Sequence, residues 1–138
     1  MRPFLEWFFK SWLKHKWHVL VVGCKLGVPL WQLIVHDMSK LSVQERSYMR
    51  SWHGLEALSQ EARFHHVRHN KHHWHCWVGL DMPHDYVAEM VADWIARCLV
   101  KGHWDLEQRL DELSGEMSWL TKCRVRAVLD RVRSIKWQ

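Results

Sequence analysis

The sequence predicts an all-α fold, one domain spanning residues 1–138, on three observations. No stretch alternates apolar and polar residues between turn signals, as a strand would. Apolar residues recur at helical spacing, most clearly at Val87, Met90, Val91, Trp94, Ile95 and Cys98. The 6 glycines and 3 prolines read as punctuation between such segments.

Taken in order, Pro3 opens a first helix at its N1 position, running to about Lys25. Gly27-Val28-Pro29 breaks it, and Pro29 opens a second helix through about Met38. Ser42-Val43-Gln44-Glu45 has the S-x-x-E form of a capping box and predicts a short third helix to about Trp52. Gly54 separates this from a long helical segment that begins near Leu55 and enters a run of histidines. Gly79 and Met82-Pro83 end that unit, and a helix follows over about 84–100. After Gly102 a short helix is expected over 105–113, and Thr121 is the expected cap of a terminal helix reaching Lys136. Six or seven helices result.

A chain of 138 residues can bury one core, and a hydrophobic fraction of 48% excludes a disordered chain. The 11 tryptophans, spread from Trp7 to Trp137, read mainly as core and helix-packing residues. The 4 cysteines form no C-x-x-C pair, which excludes a zinc ribbon and fits thiols in a reducing compartment. No apolar run approaches the 18 residues or so of a membrane span. The opening MRPFLEWFFKSWLKHKWH is interrupted by charges and does not read as a secretory leader, so a cytoplasmic location without membrane attachment is expected. The formal net charge of +5 favours an anionic ligand, although basic residues on solvated helix faces account for most of it.

The strongest chemical signal is the stretch HHVRHNKHHWH. It holds His65, His66, His69, His72, His73 and His75, half of the chain's 12 histidines. Upstream stands the dipeptide His36-Asp37, and downstream Asp93 closes an acidic ladder with Asp85 and Glu89 at i, i+4, i+8 spacing. Imidazole nitrogen and carboxylate oxygen are the donors that first-row divalent metals prefer. On the long helical segment His66 and His73 share one face and His65 and His72 another, each pair seven residues apart, and either face could supply the donors. His15 and His18 on the first helix could add a further nitrogen. Asn70 reads as a turn or helix-interrupting residue that could also bind a substrate group, and Trp74 and Trp77 as core residues.

The order His, His-Asp, His/His, Asp resembles the HD superfamily of metal-dependent phosphohydrolases over roughly His15 to Trp94. His36-Asp37-Met38-Ser39-Lys40 is close to the HD-x-G-K often found there, with Ser39 in place of the glycine. Four separated motifs also look like a small uncharacterised helical family of bacteriophages and bacteria. They are His15-Lys16-Trp17-His18-Val19, His36 to Lys40, His65 to Trp74, and Glu89 to Trp94.

The first resemblance implies an HD-like helical bundle. It also implies a metal site of His15, His36, Asp37, His66, His73 and Asp93, holding one or two divalent ions (manganese, iron, nickel, zinc or magnesium). Asp37 would orient a metal-activated water, Lys40 would contact phosphate, and Glu89 would act as an acid/base group or fix histidine tautomers. Lys40, His65, Asn70, His72 and Trp74 are the expected substrate-binding residues. The expected activity is metal-dependent hydrolysis of a nucleotide or similar small phosphate-containing substrate, with nucleic acid a weaker expectation. In a phage-encoded protein the setting would be the host cytoplasm. Two rivals remain open: a non-catalytic protein whose histidines form a structural metal site or polar core beside a partner-binding surface, and an HD-fold di-iron oxygenase.

Overall fold

The computed structural model describes residues 6, 8–45, 56–113 and 115–135. A π-helical turn over Phe8–Trp12 leads into α1 (Leu13–Leu26). Gly27 ends α1 at a left-handed φ of 76°, its N–H closing on Cys24 O. Helix α2 (Leu30–Val35) follows from Pro29 and gives way at His36-Asp37 to a 3-10 turn over Met38–Leu41. Residues 43–45 begin another helix, and Ser42 Oγ accepts from Glu45 N at 3.3 Å, as the capping box requires. The rest of the expected third helix lies outside the described residues. Then come α3 (Glu56–His69), a 3-10 turn at Trp74–Trp77, α4 (His84–Lys101), α5 (Leu106–Leu113) and α6 (Trp119–Ser134). The fold is all-α, and no strand occurs among the described residues.

Helix α4 is the axis of the molecule. Every residue from Val87 to Ala96 is buried, because α1 and α6 pack against it and share one apolar core. Val19, Val22 and Leu26 come from α1, and Val125, Val128, Leu129 and Val132 from α6. Gly23 lets α2 lie close on α1. A Cβ at that position would stand 2.3 Å from Leu33 Cδ2, and Leu33 is fully buried. Polar ties fasten α6 to the loop before α4: Arg124 Nη1 donates to Met82 O at 2.6 Å, and Met82 N donates to Thr121 Oγ1 at 2.9 Å.

Four expectations are corrected. The second helix stops at Val35 rather than Met38, because Asp37 takes a left-handed conformation no helix can contain. The long helix stops at His69, where the Asn70 side chain donates to His66 O at 2.7 Å and so satisfies a terminal carbonyl. The last helix is capped by Ser118, whose Oγ accepts from Thr121 N at 3.1 Å, so Thr121 is already inside it. Finally, the tryptophans divide: Trp12, Trp74 and Trp94 are buried, while Trp17, Trp31, Trp104 and Trp119 are exposed. No described helix is long and apolar enough to cross a membrane.

Candidate metal centre

Four segments converge beside the middle of α4. His15 comes from the first turn of α1, and His36 and Asp37 from the turn after α2. His66 lies in the last turn of α3, His72 and His73 in the turn beyond it, and Glu89 and Asp93 one helical turn apart on α4. Of these, His36, Asp37, His72, Glu89 and Asp93 are buried.

The donor atoms form two adjoining sets that share Asp37. In one, His15, His36, Asp37 and Asp93 lie within 4.8 Å of one another; in the other, Asp37, His66, His72 and His73 do. Asp37 divides its oxygens between them. Oδ2 faces His36 Nε2 at 3.5 Å and His15 Nε2 at 3.9 Å. Oδ1 faces His66 Nε2 at 3.2 Å and His72 Nε2 at 3.4 Å. Asp93 Oδ1 completes the first set, 2.9 Å from His15 Nε2 and 3.7 Å from His36 Nε2. Ligands held about 2.0–2.2 Å from one ion stand roughly 3–3.5 Å apart, so these separations suit a shared cation.

Hydrogen bonding tests that fit. Buried nitrogen and oxygen atoms are almost always paired. Here the Nε2 atoms of His15, His36, His66, His72 and His73, with Asp37 Oδ1 and Asp93 Oδ1, are buried and make no hydrogen bond. His15 and Asp93 approach within ion-pair distance, but without hydrogen-bond alignment. These seven buried atoms without a hydrogen bond all belong to the two donor sets that Asp37 joins. These buried groups can hold a metal ion.

The opposite edges of the rings are tied down. Glu89 Oε1 accepts from His36 Nδ1 at 2.8 Å and lies 3.3 Å from His72 Nδ1. Gln32 Nε2 donates to the other oxygen, Oε2, at 2.7 Å. A carboxylate at Nδ1 makes that nitrogen the donor and leaves Nε2 as a lone pair, the tautomer that ligation needs. His36, His72 and Glu89 also lie close enough to hold an ion, but their facing atoms are already occupied by this contact. Glu45 does the same at α3: Oε2 accepts from His66 Nδ1 and Oε1 from His65 Nδ1, each at 3.0 Å. Ser39 Oγ accepts from Asn70 Nδ2 at 2.7 Å and lies 3.2 Å from His66 Nδ1, so the serine of the HD-x-S-K segment joins this network.

Electrostatics follow the same geometry. Burial works against the Asp37 and Asp93 carboxylates, but their cationic neighbours win and hold both well below the usual range. For Asp37 these are His36 and Lys40, and for Asp93 they are Arg97 and His15. Glu89 is likewise pulled down to about 2, against its burial, by His36 and His72. Burial disfavours a charged His36 as well, yet Asp37, Asp93 and Glu89 raise it to about 9. For His73 burial and the neighbouring His72 and His66 outweigh the pull of Asp93 and Asp37 and drive it down to about 2.

The sequence-predicted residues separate clearly. His15, His36, Asp37, His66, His73 and Asp93 come together in the two sets. His72, expected at the substrate, joins them. Lys40 reaches Asp37 Oδ2. His65 turns to Glu45 and stacks on His69 with ring centres 4.0 Å apart. Asn70 is spent on Ser39 and the end of α3, and Trp74 lies in the apolar core with its ring on His75. Sequence reasoning missed Glu45, Gln32 and Arg97. Arg97 Nη2 lies 3.0 Å from Asp93 Oδ2, and its i+4 position from Asp93 was a readable signal. Lys16 was missed too: its ammonium donates to the carbonyls of Ile34 and His36 at 2.8 and 2.7 Å, capping α2.

A cavity of about 200 Å³ opens beside the first set, lined by Ser11, Trp12, His15, Lys40, Arg97, Val100 and Lys101. Two larger cavities lie elsewhere: one of about 560 Å³ between Phe64 and Trp77, and one of about 590 Å³ along Phe9, Leu13 and Trp17; neither is lined by a residue of the two donor sets. Fold and site together define an all-α protein built around a buried histidine–carboxylate centre. The chain belongs to a family of unknown function, DUF5662, whose model matches residues 6–134. Neither the curated proteins nor the solved structures contain a match to it.

Proposed function

We propose that the protein is a metal-dependent phosphohydrolase with two cation positions that would share Asp37. The observation that carries this reading is the set of seven buried donor atoms without hydrogen bonds, divided by the two oxygens of one carboxylate. The order of the residues, His15, His36-Asp37, His66 with His72 and His73, then Asp93, also follows the HD phosphohydrolase pattern. His15, His36, Asp37 and Asp93 would hold one ion, and Asp37, His66, His72 and His73 the other.

Bound ions supply Lewis acidity, which makes hydroxide available near neutral pH and neutralises phosphoryl oxygens. The protein's own groups do the rest. Glu89 and Glu45 orient three imidazoles through their Nδ1 atoms. Arg97 and Lys40 neutralise Asp93 and Asp37, so two buried carboxylates stay ionised without repelling each other. Lys40, at the wall of the cavity, also stands where a substrate phosphate would enter.

Elemental analysis of the purified protein, then turnover of mono-, di- and cyclic nucleotides and simple phosphoesters with the matching metal, tests this. The expected result is stoichiometric divalent metal, lost in His36→Ala, and phosphate release that follows metal content. Full metal retention by His36→Ala and Asp37→Ala would overturn the site. Mixed-valent iron with oxygen uptake and no phosphate release would overturn hydrolysis in favour of oxygenation.

A further inference from the structure

We propose that Ser11, Lys40, Arg97 and Lys101 form an anion subsite that selects a phosphomonoester dianion, held by its phosphate with the organic part outside the cavity. The inference rests on the proposed metal centre and gives that site a substrate class. Three cationic side chains and one hydroxyl line a single cavity, and His15 of the first donor set stands in its wall. They come from three segments: the π-helical turn (Ser11), the 3-10 turn after Asp37 (Lys40), and one face of α4, where Arg97 and Lys101 are four residues apart.

Arg97 is placed to act on two groups at once. Its Nη2 meets Asp93, while a guanidinium carries five N–H donors in a planar fork, so others can face the cavity. Lys101 is exposed at the last residue of α4, on the side that opens to solvent. A phosphomonoester offers three terminal oxygens and a charge near −2, whereas a diester offers two such oxygens and a single charge. Several donors around one small space therefore favour the monoester. Volume decides the rest. Sites that enclose a drug-sized ligand run to about 300–1,000 Å³. At about 200 Å³ this cavity is smaller, and suits a phosphate better than a whole nucleotide.

Calorimetric titration of the metal-loaded protein with inorganic phosphate and with dimethyl phosphate tests the subsite without turnover. Phosphate should bind at least about tenfold more tightly than the diester. Lys101→Gln, which touches no donor of the metal sets, should weaken phosphate about tenfold at unchanged metal content. Arg97→Lys keeps a cation beside Asp93 but removes the fork, and should also weaken phosphate about tenfold, measured at matched metal loading. Equal affinity for the two probes, or unchanged phosphate affinity in both variants, would overturn the proposal while leaving the metal centre intact. If the protein takes up no metal, the proposed function falls separately. The subsite then stands or falls on whether Lys101→Gln weakens phosphate binding by the metal-free protein.

Discussion

Asp37 carries its side chain from a backbone φ of 55°, in the left-handed region that residues with a Cβ seldom enter. Such a conformation costs about 1–3 kcal/mol and persists only where the surroundings enforce it. Here it turns the chain out of α2 and sets one carboxylate between two groups of histidines. Asparagine tolerates the same φ and has the same shape, so Asp37→Asn separates charge from backbone. That variant should keep the far-ultraviolet circular dichroism of the parent and lose metal from both positions; retention of both ions would show that Asp37 does not bridge. His36 gives the pH dependence. Its proton is held more tightly in the fold than in the unfolded chain, raised from 6.5 to about 9. Its contribution to the metal-free protein's stability is therefore complete below pH 6.5 and lost as pH rises through about 9. Ligation needs the same nitrogen bare, so metal affinity should climb across that window while the melting temperature of the chelated protein falls. Competition titrations and melts at both ends of the window check the two opposite trends.

At the scale of elements, the centre depends on how α2 and α4 are held. Gly23 sets the approach of α2, and Gly23→Ala would drive a methyl into buried Leu33. Overpacking of this kind costs about 1–3 kcal/mol, read in a denaturant melt, and should also weaken metal binding because α2 leads directly into His36 and Asp37. Glu89 on α4 serves one histidine of each donor set through a single oxygen. Losing such an outer partner typically weakens metal affinity about 10–100-fold. Glu89→Gln should therefore weaken both positions together, whereas Glu45→Gln should weaken only the one served by His66; a chromophoric chelator in competition distinguishes the two. The helix order and the donor-bearing stretches of α1, α4 and the turn after α2 were legible in the sequence, because apolar spacing, Gly/Pro breaks and the His-Asp dipeptide act locally. The histidine cluster was not. A face argument over His65, His66, His72 and His73 needs a helix that continues, and Asn70, itself readable as an interruption, ends it. His72 thus enters the donor set from a turn, with no periodicity to announce it. Glu45, 20 residues before His65, is a tertiary partner that no local pattern could reveal.

For the molecule as a whole, the core and the centre share the same helix, so neither is independent of the other. The buried residues of α4 include the apolar packing against α1 and α6 as well as Glu89 and Asp93. Each orphaned buried polar atom costs about 1–3 kcal/mol, a penalty that an ion bound by these donors would remove. A ligand at 100 times its Kd stabilises by about 2.7 kcal/mol, and in a domain of this size that raises the melting temperature by about 10 °C. Scanning calorimetry with and without a chelator should show a change of that order; coincident melts would mean the seven atoms are satisfied in solution by something other than an ion. The shared carboxylate of Asp37 carries this further, into the lifetime of the chain in a cell. One residue joins both donor sets, so withdrawing a metal held there would loosen the turn after α2, α3 and the middle of α4 at once rather than one at a time. Proteases cut the open population, and that population grows as stability falls. Under metal starvation the protein would then be cleared quickly and under sufficiency it would persist, so that its abundance, followed by pulse-chase in cells given or denied metal, becomes a gauge of supply.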